Sequence, residues 1–251
     1  MLGSVLHTAL SGISAAEMAI DVSANNLANG MTVGFKASRV VFEDQSPRTL
    51  SNGVAVSAAS GGKNPAQVGR GVLASAVDGD FSQGPILRSG NPLDLALEGN
   101  GFFVLEGGDG DRLYTRNGDF SFNGDGELVT GSGLRVLGHN VDANFQLASG
   151  DLEVVKVPSG SAASAQLTGF AVGVDGNIQG HFSDGIVRDL GQVQLAHFAN
   201  PNGLVRRGQN TFSTGSNSGL PNTSNSGATR VVSGARDSSN TAFPLEIVHL
   251  S

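Results

Sequence analysis

Hydrophobic residues at the start of the chain follow a period of seven. Leu6, Ile13, Ile20 and Leu27 recur at heptad spacing, and Leu2, Ala9, Ala16 and Ser23 fall three places after the first position of each heptad. Two such rows share one side of an α-helix, with large residues at one core position and small ones at the other, so a second axis can approach closely. The spacing predicts a helix over residues 2–29, about 42 Å long, closed by the cluster Asn25, Asn26, Asn29 and Gly30. An apolar stripe of this length needs cover, because propensity alone holds an isolated helix weakly. No second segment of helical period and comparable length follows. Residues 243–250 read only as a helix start, with Pro244 in its first turn.

Beyond the helix the pattern changes twice. Residues 31–70 are rich in Ser, Gly and Asn and read as an extended linker with one short strand at 54–57. From Val72 the period becomes two. Short strands are expected at 93–97, 102–105, 113–116, 120–122, 128–129, 134–137, 152–157, 170–174, 186–187 and 193–198, separated by turn pairs such as Asn117-Gly118, Asn123-Gly124, Asp125-Gly126 and Asp175-Gly176. A weak internal echo links Asp125-Gly126-Glu127-Leu128 to Asp175-Gly176-Asn177-Ile178. The expected fold is mainly β with an N-terminal α-helix: an antiparallel β-sandwich or barrel-like body plus a long coiled-coil-type helix. Its parts are an assembly helix (1–31), an extended linker (32–71), a β-rich body (72–226) and a return segment toward the N-terminal helix (227–251).

Charge narrows the function. Lys and Arg total 15 against 22 Asp and Glu, a net charge of −7, so the chain has no electrostatic reason to seek nucleic acid or an anionic membrane. Only 15% of residues are charged, and the polarity comes from Ser, Asn, Thr and Gln, a surface suited to packing against copies of itself. There is no Cys, which excludes disulfides and thiolate metal sites. No window approaches the roughly 18 apolar residues of a membrane helix, so membrane insertion is not expected. Residues 1–10 hold no Lys or Arg, and no cleavable secretory signal is expected.

Candidate chemistry is sparse. His7, His139, His181, His197 and His249 are scattered without metal-ligand spacing. Gly107-Gly108-Asp109-Gly110-Asp111 hints at calcium, but Arg112 stands where the repeat wants Asp. Gly12-Ile13-Ser14-Ala15 lies inside the helical seam rather than at a strand-to-helix turn, and Asn64 after Gly61-Gly62-Lys63 replaces the Ser or Thr of a phosphate loop. No catalytic residue, cofactor or metal is expected. Two rival classes remain: a secreted β-rich hydrolase or lyase, marked by clustered carboxylates in a deep cleft, and a surface adhesin or binding module, marked by an exposed aromatic patch.

Ser11-Gly12, Ala15-Ala16, Asp21-Val22, Asn25-Asn26-Leu27-Ala28-Asn29, Thr32, Gly34-Phe35-Lys36, Ser38-Arg39 and Phe42-Glu43-Asp44 closely resemble the N-terminal signature of the bacterial flagellar rod and hook proteins. Further matches are Gly90-Asn91-Pro92-Leu93-Asp94-Leu95-Ala96-Leu97, Gly99-Asn100-Gly101-Phe102-Phe103 and Tyr114-Thr115-Arg116-Asn117-Gly118. Phe198-Ala199-Asn200-Pro201-Asn202-Gly203-Leu204, with Leu190-Gly191-Gln192, is more like the hook protein than the distal rod. Met31 departs from the family's usual Asn, and Arg236-Asp237 stands in place of Leu-Glu at the start of the family's C-terminal helix, which is expected to be cut short. The resemblance implies a structural subunit, hook or distal rod, that self-assembles into a helical tube. Its partners would be copies of itself, other flagellar axial proteins and the export apparatus. Its place would be the flagellar basal body or hook, reached by export without a cleaved signal. Subunit contacts are expected at Leu2, Leu6, Ala9, Ile13, Ala16, Ile20, Leu27, Asn25, Asn26 and Asn29. Glu17 and Asp21, four apart on the helix flank, are a like-charge pair, and Lys36 and Arg39 are expected beside Glu17 or Asp21 of a neighbour, where they would relieve it.

Overall fold

A computed structural model describes residues 2–58, 61–108, 110–142, 145–148, 150–157, 167–223, 229–242 and 246–247, with the backbone alone at Leu2 and Ser4. The chain divides into two units, one of residues 1–28, 38–79 and 242–251, the other of residues 29–37 and 80–241.

The first unit holds the helix α1 (Leu2–Ala28) and the strands β1 (Ser38–Asp44), β2 (Arg48–Ser51), β3 (Ala66–Val68) and β4 (Val72–Gly79). Strand β1 runs antiparallel to β4, from Ser38 opposite Gly79 to Asp44 opposite Val72, with a bulge between Val41 and Phe42. Strands β2 and β3 pair antiparallel, and Val54 bridges Lys63 beyond them. The described residues of 38–58 and 61–79 thus form paired antiparallel strands, a ribbon against the helix. The stretch read as a linker is extended, but most of it is paired. Val54 and Ser57 form isolated bridges where a strand was expected over 54–57.

The helix finds cover on this ribbon instead of on a second helix. It packs against β1 and β4 with a face of small and polar residues: Ala15, Ser23 and Asn26 are buried, and Ser11, Ala19 and Val22 partly so. Small side chains allow a close approach. Ser11 Oγ accepts a 3.3 Å hydrogen bond from the Val72 amide, and a Cβ on Gly71, at φ +107°, would collide with the Ser11 side chain. Of the helix start expected at 243–250, only Glu246 and Ile247 lie within the described residues. Both are helical, and the Glu246 amide bonds the Ala242 carbonyl at 3.1 Å.

In the second unit one antiparallel sheet dominates. Its main path runs Leu167–Val172, Asn177–Phe182, Val187–Val193, Arg135–Asn140, Phe102–Glu106, Arg112–Thr115, Thr211–Ser213, Val205–Gly208. Among the described residues the first and last strands of this path do not pair with each other, so the sheet is open rather than a barrel. Both faces of Phe102–Glu106 are buried. Phe103 and Leu105 join a cluster with Leu95, Phe120 and Val193, while Phe102 and Val104 join Tyr114, Phe198 and Phe212 on the other side. A strand covered on both faces reads as a continuous apolar run.

The internal echo is structural. The Gly126 amide bonds Asn123 O and the Gly176 amide bonds Gly173 O, both at 3.0 Å. In each turn the glycine carbonyl then accepts an amide from a third segment, Val157 in the first and Val193 in the second, both at 2.9 Å. Gly126 and Gly176 lie at φ +76° and +81°, the left-handed region such hairpin turns require.

Candidate functional site

Around the axis of α1, at 3.6 residues per turn, the row Leu6, Ala9, Ile13, Ala16, Ile20 is centred about 140° from the row that meets the ribbon. Its large members are open to solvent within the chain: Leu6 is 62%, Ile13 56% and Ile20 46% exposed. Ala9 and Ala16 are exposed between them, Leu27 is half-buried, and the Leu2 side chain lies outside the described residues. The ribbon also exposes apolar side chains, at Leu50, Val54, Val56, Leu73 and Val77. Among the described residues, the fully buried apolar side chains lie in the second unit, with Ala15 the single exception. Among its described residues the first unit therefore shows no apolar core of its own.

The asparagine cluster divides its roles. Asn26 is buried and acts as a strand mimic: its Nδ2 donates to the Ser38 carbonyl at 2.7 Å and its Oδ1 accepts the Ser38 amide at 2.9 Å. Nδ2 also donates to Glu246 Oε1 at 2.9 Å. These contacts fasten the last turn of α1 to the start of β1. Asn25 is exposed, and half-buried Asn29 belongs to the second unit, where its carbonyl accepts the Thr32 amide at 3.0 Å.

Lys36 does not face a neighbour. Its side chain is fully buried, and its Nζ lies 3.0 Å from Asp237 Oδ2 and 2.9 Å from the Ser82 carbonyl. Gln83 Nε2 donates to the other Asp237 oxygen at 3.0 Å, and the Gly34 amide bonds the Asp237 carbonyl at 2.6 Å. Burial lowers the Lys36 pKa from the ordinary lysine value; the Asp237 charge opposes that shift and Arg116 adds to it. Arg116 is itself buried, donates to the Gly99 carbonyl at 2.5 Å and stands 5.6 Å over the Phe102 ring. Gly34 has φ +68°, and a Cβ there would come within 2.6 Å of the Asn117 amide nitrogen. Phe35 lies under the Arg206 guanidinium, whose Nη2 donates to the Lys36 carbonyl at 2.7 Å. The Gly34-Phe35-Lys36 motif is thus a plug inside the second unit. Arg39, by contrast, is exposed on β1 opposite Asp78.

Sequence reasoning missed Asp237 as the partner of Lys36. The one available signal was a lysine flanked by apolar Phe35 and Ala37, a setting that requires a carboxylate from elsewhere. Arg236, the other residue of the divergent pair, lies 2.7 Å from Asp94 and 3.2 Å from Asp119. His139 bonds Gln194 at 3.1 Å and His197 bonds Thr229 at 2.9 Å.

Two family models match. Residues 6–36 match the flagella basal body rod protein model, and residues 96–180 match the flagellar hook protein FlgE/F/G D1 domain. The flagellar basal-body rod protein FlgG of Bacillus subtilis (strain 168) is 35% identical over 220 residues, 88% of this chain and 76% of that protein. FlgG of Caulobacter vibrioides is 34% identical over 82% of this chain and 72% of that protein. The flagellar hook protein FlgE of Borreliella burgdorferi is 33% identical over 65% of this chain and 38% of that protein. With the helix signature matched from Leu6 to Lys36, the sheet unit matched around Phe102 and Phe103, and these relatives aligned over most of its length, the chain belongs to the flagellar rod and hook protein family.

Proposed function

We propose that the chain is a structural subunit of the flagellar axial structure, in a hook or distal-rod position, and that it assembles through its first unit. One observation carries this reading: among its described residues the first unit buries Ala15 alone of the apolar side chains, yet exposes a row from Leu6 to Ile20 and apolar residues of the ribbon. A surface that leaves this much apolar side chain open gains its burial from neighbours. The second unit, with apolar clusters on both faces of its sheet, holds its own fold and would form the body of the wall. Contacts of this heterologous kind repeat without closing and generate a helical filament. The partners are then copies of this chain and adjoining axial proteins, met after passage through the export apparatus, and the role needs no catalysis.

The test is assembly. The purified chain should form sedimentable filaments above a critical concentration, while Ile13→Asp and Ile20→Asp should each prevent this. Both positions are exposed in the single chain, so the circular dichroism of the variants should match the parent. At an interface the introduced carboxylate would be buried without a partner. Filament yield unchanged by either substitution, or a parent chain that stays monomeric at every concentration, would overturn the reading.

A further inference from the structure

The basic partner that Glu17 and Asp21 call for is not Lys36, which is buried against Asp237. A different basic feature lies in the first unit. The opening turns of α1 and the strands β2 and β3 enclose a groove of about 750 Å³, walled by Val5, Ala9, Leu50 and Val68 and bearing Arg48 and Arg70. Its apolar side chains are open: Val5, Leu50 and Val68 are each more than half exposed. Arg48 and Arg70 are exposed as well, and among the described residues neither forms an ion pair within the chain.

Building on the assembly reading above, we propose that this groove receives residues 13–21 of α1 from a second copy of the chain, with Glu17 and Asp21 against Arg48 and Arg70.

The two surfaces complement each other in chemistry and in layout. On α1, Ile13 and Ile20 lie side by side, and Glu17 and Asp21 follow about 70° further round, so the segment offers an apolar ridge with one acidic flank. The groove offers apolar walls and two guanidinium groups, which pair with carboxylates in two-pronged geometry. Among the described residues Glu17 and Asp21 also form no ion pair within the chain. The acids cannot serve their own groove. It meets α1 at residues 3–9, and Glu17 and Asp21 lie about 18 Å further along the same helix. The contact is therefore between copies, head to tail, with an axial offset of about one such span.

Charge reversal tests the pairing. In Arg48→Glu/Arg70→Glu the groove becomes acidic, and in Glu17→Arg/Asp21→Arg the ridge becomes basic. All four positions are exposed, so both variants should keep the parent's circular dichroism. Each alone should raise the critical concentration for filaments by about tenfold or more. An equimolar mixture should restore assembly, because each acidic ridge then meets a basic groove and each basic ridge an acidic one. If either variant assembles alone as readily as the parent, or the mixture fails as badly as its components, the groove takes another occupant: another axial protein or an apolar ligand. That result leaves the parent's own assembly standing, whereas a parent that never assembles removes the functional reading itself and this inference with it.

Discussion

Lys36 Nζ lies 3.0 Å from Asp237 Oδ2, with both side chains fully shielded from solvent although the residues are 201 positions apart. The pair ties the segment just after the helix to the strand Ala235–Asp237, closing almost the whole described chain between them. Its geometry is complete: the lysine also donates to Ser82, and the second carboxylate oxygen accepts from Gln83. Such a pair costs much desolvation, so removing one member costs more than the intact pair contributes.

Lys36→Met should therefore lower the unfolding free energy by about 3–5 kcal/mol, because it leaves the Asp237 carboxylate buried without its ion-pair partner. Lys36→Met/Asp237→Leu should recover most of that loss. Urea titrations of the two single variants and the double variant form a complete cycle. A loss in the double variant equal to the sum of the two single losses would show that the two residues are not coupled.

Stability should also respond to alkali in a defined direction. Burial lowers the Lys36 pKa, so between that value and the ordinary lysine value of 10.5 the unfolded chain binds more protons than the folded one. Stability then rises with pH across this window. Tyr114 works the other way: burial raises its pKa, and the stability it contributes is lost as pH climbs beyond the ordinary tyrosine value of 10.0. Urea midpoints followed upward through these windows should rise and then fall in the parent. In Lys36→Met the rise should be missing and the fall retained.

Asn26 should tolerate loss better than charge. Asn26→Ala removes hydrogen bonds to both backbone groups of Ser38 and one to Glu246, and should cost about 1–3 kcal/mol. Asn26→Asp still accepts the Ser38 amide but turns its second oxygen toward the Ser38 carbonyl and the Glu246 carboxylate, so it should be the worse substitution. Amide exchange in β1 reports both. If Asn26→Asp leaves β1 better protected than Asn26→Ala does, the assigned donor direction at Ser38 is wrong.

Two glycines should respond with opposite signs to the same change. Gly34→Ala forces a Cβ against the Arg116–Asn117 backbone at positive φ and should destabilise by about 2 kcal/mol or more. Gly12→Ala meets no atom within 4 Å and lies inside α1, so it should stabilise the helix by about 1 kcal/mol. Thermal melts followed by circular dichroism check both.

The β body was readable where one strand buries a run or where a turn imposes φ. Phe102-Phe103-Val104-Leu105 and the glycines at 126 and 176 announced themselves by local chemistry alone. Strands such as Asn177–Phe182 were not readable, because Gly180 and polar neighbours hide the alternation that buries Ile178 and Gly180. The pairing of β1 with β4 was equally hidden. No tight turn joins them, so their register is set across the intervening β2 and β3.

Local periodicity and turn chemistry were enough to establish the N-terminal helix, the antiparallel β body and the apolar row from Leu6 to Ile20, because each depends on residues a few positions apart. Neighbours distant in the chain decided the rest. Which face of α1 meets the ribbon follows from the small residues Ser11, Ala15 and Ala19 fitting against β1 and β4. Whether a lysine is a surface charge or a buried anchor depends on what surrounds it, and for Lys36 that is Asp237, at the far end of the described chain. Composition and spacing count charges but not their separation in space, and an ion pair is made by separation.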